Sequence, residues 1–169
     1  MTALASCGAL LIAAEGPFLR FYLAKDSRYL SSVRIFKAQA VHGICVFAQD
    51  QAHASRLVIW GGRLVRSLDV NFVGEHDQAG LSLCFSNVAK ASDWILDLAS
   101  RPTSLEDDGR YSTDTCVAVT AHNALLQVTV ESRNPDTTLP DECACHINHH
   151  LGNFANILII ALSVCPFPT

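Results

Sequence analysis

The stretch LVIWGGRLVRSLDV, residues 57 to 70, sets two adjacent glycines between two short apolar runs. Leu57, Val58, Ile59 and Trp60 are consecutive apolar residues, the pattern of a strand covered on both faces. Gly61-Gly62 supplies the positive φ values that a tight hairpin requires, and Leu64, Val65 and Leu68 return the chain. Two further stretches share this shape. LLIAAEGPFLRFYLA runs from Leu10 to Ala24 and turns at Gly16-Pro17; CVAVTAHNALLQVTV runs from Cys116 to Val130 and turns around His122-Asn123. Asparagine tolerates the left-handed conformation such a turn needs.

After each turn comes apolar, apolar, long polar: Phe18-Leu19-Arg20, Leu64-Val65-Arg66 and Leu125-Leu126-Gln127. Additional strands are expected at Ser32–Phe36, Gly43–Phe47, Leu81–Phe85 and Trp94–Leu98. The polar insertion SRPTSLEDDGRYSTD lengthens the second interval between units. Four short strands per period of roughly 40 to 50 residues is the pattern of a β-propeller blade, and radially stacked blades cover one another's faces. A sandwich or barrel also offers many short strands but does not require similar hairpins at that interval. The expected fold is therefore all-β, with about two and a half propeller blades over residues 1–130 and an irregular tail over 131–169.

Composition limits the function classes. With 169 residues, 50% hydrophobic and 17% charged, the chain can bury a core, and its net charge of −4 gives no global reason for nucleic-acid or membrane binding. The charge is unevenly placed. Between Pro17 and Arg66 there are eight basic and two acidic residues; from Ser67 onward four basic residues face thirteen acidic ones. The seven cysteines are an odd, scattered number, four of them in apolar surroundings, which points to a reducing compartment rather than a disulfide framework. MTALASCGALLIAAEG has no positive n-region, so it is not read as a signal peptide, and LGNFANILIIALSVC is too short and interrupted for a membrane span.

An ordered set of motifs carries a resemblance: AAEGPFLRFY, FKAQAVHGICVF, LVIWGGRLVRSL, ASDWILDLA and VTAHNALL, spanning roughly residues 10 to 130. Together they resemble the N-terminal blades of the WD-repeat subunit family that partners the eukaryotic tRNA ribose methyltransferase, the fungal members above all. That resemblance implies a non-catalytic, cytoplasmic scaffold. It would bind the catalytic subunit of the tRNA 2′-O-methyltransferase, with tRNA as an indirect partner, for methylation of the wobble nucleotide in the anticodon loop. Family members are very long, whereas ESRNPDTTLPDECACHINHHLGNFANILIIALSVCPFPT, from Glu131 to Thr169, leaves the blade pattern. A truncated form is expected, the tail being either a mis-spliced reading of the gene or a divergent end. The alternative is a generic WD-repeat scaffold for protein–protein interaction in another complex.

Residues with chemical potential are few. CACHINHH gathers Cys143, Cys145, His146, His149 and His150, and a helix would put His146 and His150 on one face. A single residue between the cysteines does not match structural zinc spacing, so a polar connector is preferred over a metal site or a small zinc-dependent hydrolase. His42 and Cys45 would point to opposite faces of a strand, which argues against a nucleophile–base pair. Asp93-Trp94 is read as a strand start, with Trp94 in the core. Neither a G-x-G-x-x-G nor a P-loop pattern occurs, so no enzyme activity, catalytic residue or cofactor is assigned. The N-terminal positive excess comes from Arg20, Lys25, Arg28, Arg34, Lys37, Arg56, Arg63 and Arg66. Of these, Arg20, Arg63 and Arg66 are the candidate contacts to RNA or a partner, although no aromatic stacking ladder accompanies them.

Overall fold

The structure is a computed structural model and describes residues 1–48, 54–73, 80–101, 111–133 and 144–153. Strands β1 (Ala3–Cys7), β2 (Leu10–Glu15), β3 (Phe18–Leu23) and β4 (Arg28–Arg34) form the first sheet in sequential antiparallel order. The second comprises β5 (Gly43–Ala48), β6 (Ala54–Gly61), β7 (Leu64–Val73) and β8 (Gly80–Phe85), with the two-residue β9 (Ala89–Lys90) also pairing β7. The third comprises β10 (Ile95–Arg101), β11 (Tyr111–Thr120), β12 (Ala124–Arg133) and β13 (Ala144–Asn153). No helix occurs among the described residues, and so none there is long and apolar enough to cross a membrane.

The three hairpins identified in the sequence are β2–β3, β6–β7 and β11–β12, the two middle strands of each sheet. Their turns differ in detail. Gly16 (φ 58°), Gly62 (φ 58°) and Asn123 (φ 59°) take the left-handed conformation. Gly61 does not belong with them: it closes β6, and its missing side chain leaves room for the Ala40 carbonyl.

The consecutive apolar residues of β6 are explained by packing on both sides. Leu57 and Ile59 join Leu68 and Val70 against the first sheet, where they meet Leu10, Ile12, Leu19 and Phe21. Val58 and Trp60 turn the other way and join Val65 against Cys116, Ala118, Leu126 and Val128 of the third sheet. Burial of each such side chain contributes about 1.5–3 kcal/mol. The outward face of the first sheet alternates instead, leaving Leu4, Phe18 and Tyr29 exposed. Contacts of β1 with β5, and of β5 with β10, bring the first strands of the three sheets together, as in blades arranged around an axis.

Two boundaries differ from the sequence expectation. The third blade is complete rather than half-formed, because Ala144–Asn153, within the segment read as tail, pairs with β12 as its fourth strand. This places His146 and His150 on a strand, so the helical face invoked for zinc does not exist. Among the described residues no three His, Cys, Asp or Glu side chains come together as metal ligands. The expected strand at Ser32–Phe36 lies earlier, at Arg28–Arg34, because Ile35 and Phe36 leave the sheet and fill the core beside it. Cys143, Cys165, most of the polar insertion and the apolar C-terminal run lie outside the described residues.

Candidate interaction surface

The turns between the two middle strands of each blade are held by the segments that link one blade to the next. In the first linker, Ile35 N–H donates to Pro17 O and Val41 N–H to Gly16 O (both 2.8 Å), while His42 N–H donates to Trp60 O of the next blade (2.8 Å). The second linker repeats the arrangement: Ala91 N–H donates to Arg63 O (2.7 Å) and Ile95 N–H to Gly62 O (2.8 Å), while Trp94 O accepts from Ala121 N–H (2.8 Å). Each linker therefore binds backward to the turn of its own blade and forward to the following blade. Turns and linkers form one continuous, hydrogen-bonded surface.

Side chains reinforce it. His42 Nδ1 accepts from Gly62 N–H at 3.2 Å, a hydrogen bond within the fold. In the third blade Asp93 takes the corresponding role. Its Oδ2 accepts from His122 N–H and Nδ1 (2.9 Å each), and Oδ1 accepts from Trp94 N–H at 2.7 Å. Desolvation works to raise the Asp93 pKa, but hydrogen bonds from His122, Trp94 and Thr120 outweigh it and hold the carboxyl well below the usual carboxylate range. A carboxylate with a depressed folded-state pKa supplies stability that is fully present above its unfolded value, about 3.9, and is lost as pH falls through the folded value. Wild type is thus expected to exceed Asp93→Asn in stability at neutral pH, with the gap closing as pH drops below about 4. Thermal unfolding of both proteins across that range checks this; a gap that widens in acid would contradict it.

Trp94 is not a core residue. It precedes β10 rather than starting it, and its side chain is 53% exposed, with the His42 ring 6.1 Å from its own. Exposed Arg63 lies on the same surface, anchored by Nε to Ala91 O at 3.1 Å, and His122, on the third turn, is held there by Asp93. A tryptophan, an arginine and two histidines on a rigid frame make a chemically capable docking surface, since Trp and Arg dominate the energetics of protein interfaces. Sequence reasoning named Arg63 as a candidate contact and read Asp93-Trp94 as a strand start, but it assigned the tryptophan to the interior; nothing in its local pattern separates the two.

The three candidate arginines do not converge. Arg20 is exposed on β3 and ion-paired with Glu15 at 2.5 Å. Arg63 is on the linker surface. Arg66 is half-buried: its Nε donates to Ser86 O (2.8 Å), its Nη1 to Ile35 O (3.2 Å), and its guanidinium covers the Phe85 ring at 4.5 Å. Desolvation pushes its pKa down. Arg34 also spends its charge locally, on the carbonyls of Phe36 and Lys37. Arg56 is removed from any basic patch, because it is buried between the second and third blades among carboxylates.

No family profile and no curated protein matches this chain. Among solved structures, the WD40 domain of SCAP from fission yeast is similar over 88% of this chain, with a TM-score of 0.57 and 9% sequence identity. The aligned part is 31% of that chain, so the present chain spans about a third of its length. At that identity the likeness establishes fold alone: the chain is built of WD-repeat-like β-propeller blades.

Proposed function

We propose that these blades are a non-catalytic scaffold whose turn-and-linker surface docks a protein partner, with Trp94 as the central anchor. The observation that carries this reading is a large, half-exposed aromatic side chain on backbone fixed from both sides by hydrogen bonds. Ordering costs on binding are small when the anchor is already held in place. The partner we propose, on the motif resemblance described above, is the catalytic subunit of a cytoplasmic tRNA 2′-O-methyltransferase acting at the wobble position. Any tRNA contact would fall to Arg20 and Arg63, whose side chains are exposed; Arg66 would act by holding its linker.

Titration of the immobilised methyltransferase subunit with this chain tests both parts. Trp94→Ala is expected to weaken binding by about thirtyfold, the scale of an interface anchor, while its circular dichroism and unfolding midpoint stay near wild type. In a separate arm with tRNA added, Arg20→Glu with Arg63→Glu is expected to lower association and flatten its salt dependence. Absence of binding by the wild-type chain would overturn the proposed partner. Binding indifferent to Trp94→Ala would overturn the proposed surface. The second reading, a scaffold in a different assembly, uses the same surface and would retain Trp94-dependent binding to a partner other than this methyltransferase.

A further inference from the structure

The surface that carries Trp94 is a basic island on an acidic chain. Residues 35–42, 61–63, 86–94 and 121–123 form the linkers and the second and third turns. They contain Lys37, Arg63 and Lys90 and a single acid, Asp93, whereas the whole chain has a net charge of −4. That one carboxylate is spent inside the fold, where Oδ2 accepts from His122 and Oδ1 from Trp94 N–H. No acidic side chain of these segments is left over to neutralise Arg63.

Arg63 is exposed yet held in place. The segment from Ala91 to Ile95 is tied at both ends to the second turn, Ala91 N–H to Arg63 O (2.7 Å) and Ile95 N–H to Gly62 O (2.8 Å). Arg63 Nε closes back on Ala91 O at 3.1 Å. Trp94 belongs to that tied segment, so the indole and the guanidinium stem from neighbouring points of one backbone junction. His42 completes the junction, taking the Gly62 N–H at 3.2 Å with its ring 6.1 Å from the indole. Among the described residues, Arg63 Nη1 and Nη2 and Trp94 Nε1 have no hydrogen-bond partner. Fixing Nε orients the guanidinium plane and leaves the Nη1–Nη2 edge, whose paired N–H groups match the two oxygens of a carboxylate.

We propose that this site recognises an acidic–apolar segment of a protein partner, with an Asp or Glu carboxylate on the Nη1–Nη2 edge of Arg63 and a nearby apolar side chain on the Trp94 indole. The proposal rests on the reading of Trp94 as a protein anchor and adds what the partner must present to it. The indole supplies apolar area at little entropic cost, and the guanidinium selects charge and direction. Lys37 and Lys90, both exposed, draw the same sign of charge toward the surface. Single-stranded RNA is also anionic, but it is gripped by stacking successive bases on several aromatic side chains. Trp94 is the one exposed Phe, Tyr or Trp in these segments.

A random peptide library displayed on phage and panned on the immobilised chain tests this. Peptides recovered on wild type are expected to carry Asp or Glu close to a large apolar residue, to be lost on Trp94→Ala, and to bind more weakly as salt rises. For one such peptide, measured by fluorescence anisotropy, Arg63→Glu is expected to weaken binding by about tenfold, the scale of a charge-assisted hydrogen-bonded pair. Replacing the acid of the peptide by Lys should restore much of that loss on Arg63→Glu while weakening binding to wild type. This exchange separates recognition from misfolding, because an unfolded variant would bind neither peptide. Trp94-dependent peptides without acidic preference, or acidic peptides indifferent to Arg63→Glu, would overturn the carboxylate assignment and leave the anchor reading standing. Recovery of no Trp94-dependent peptide would overturn both. An oligouridylate that displaces the labelled peptide at lower concentration than the unlabelled peptide does would overturn the assignment in favour of RNA.

Discussion

Arg56→Ala is expected to destabilise the protein by about 3–5 kcal/mol, the range measured when one partner of a buried ion pair is removed. Arg56 is 1% exposed. It lies opposite Asp69 in the β6–β7 ladder and gives it two hydrogen bonds, Nε to Oδ1 at 2.7 Å and Nη2 to Oδ2 at 3.2 Å. Its Nη1 reaches across to Asp114 of β11, a buried residue of the next blade. Burial by itself would lower the arginine pKa, but the two carboxylates more than compensate and the net shift is upward. Alanine leaves two partly desolvated carboxylates facing each other with no cation between them. Arg56→Met combined with Asp114→Leu removes the more buried of the two carboxylates and leaves Asp69, at 23% side-chain exposure, closer to water, so it should recover part of the loss. Urea denaturation of the three proteins checks the order wild type, double variant, Arg56→Ala. A single variant within about 1 kcal/mol of wild type would show that the triad contributes little.

Gly61→Ala should be the next most damaging change. A Cβ at that position would overlap the carbonyl oxygen of Ala40 and press on the Gln39 side chain, and the first obstacle is backbone that cannot rotate away. The first linker must move off the turn, straining the hydrogen bonds of Val41 and His42; overpacking of this kind costs about 1–3 kcal/mol. Gly16→Asn offers the contrast. That glycine has the left-handed φ of 58°, but a Cβ there would meet only open space, and asparagine already occupies the same conformation at Asn123. Its cost should stay below about 1 kcal/mol. Melting temperatures of the two variants, measured side by side, test whether crowding or backbone conformation governs these turns.

Local pattern revealed the hairpins because their physics is local: a run of apolar residues, a turn that tolerates positive φ, another apolar run. Leu57 to Trp60 reported sheets on both sides before any partner was known, and Gly43–Ala48 began where the sequence reading put it. Features created by distant pairing were harder to read. β13 contains histidines and asparagines rather than an apolar alternation, and it is a strand because β12 offers it a ladder, with two register shifts on the way. Arg56 counted as surface charge until Asp114, 58 residues later, was brought beside it. Ile35 and Phe36 have the composition of strand residues yet serve as a plug, and Trp94 has the composition of a plug yet faces water. The proposed surface was legible as turns and linkers. Its aromatic anchor was not, since exposure depends on how three blades are assembled.

The two-way hydrogen bonding of the linkers bears on how these repeats can be divided. A fragment cut at the last residue of β4 would keep every strand of the first sheet but forfeit Ile35, Phe36 and Val41, which fill its core and cap its central turn. The smallest portion able to stand by itself must carry the opening residues of its successor's connector. Consecutive blades consequently share material, and heating should melt neighbours together rather than one after another.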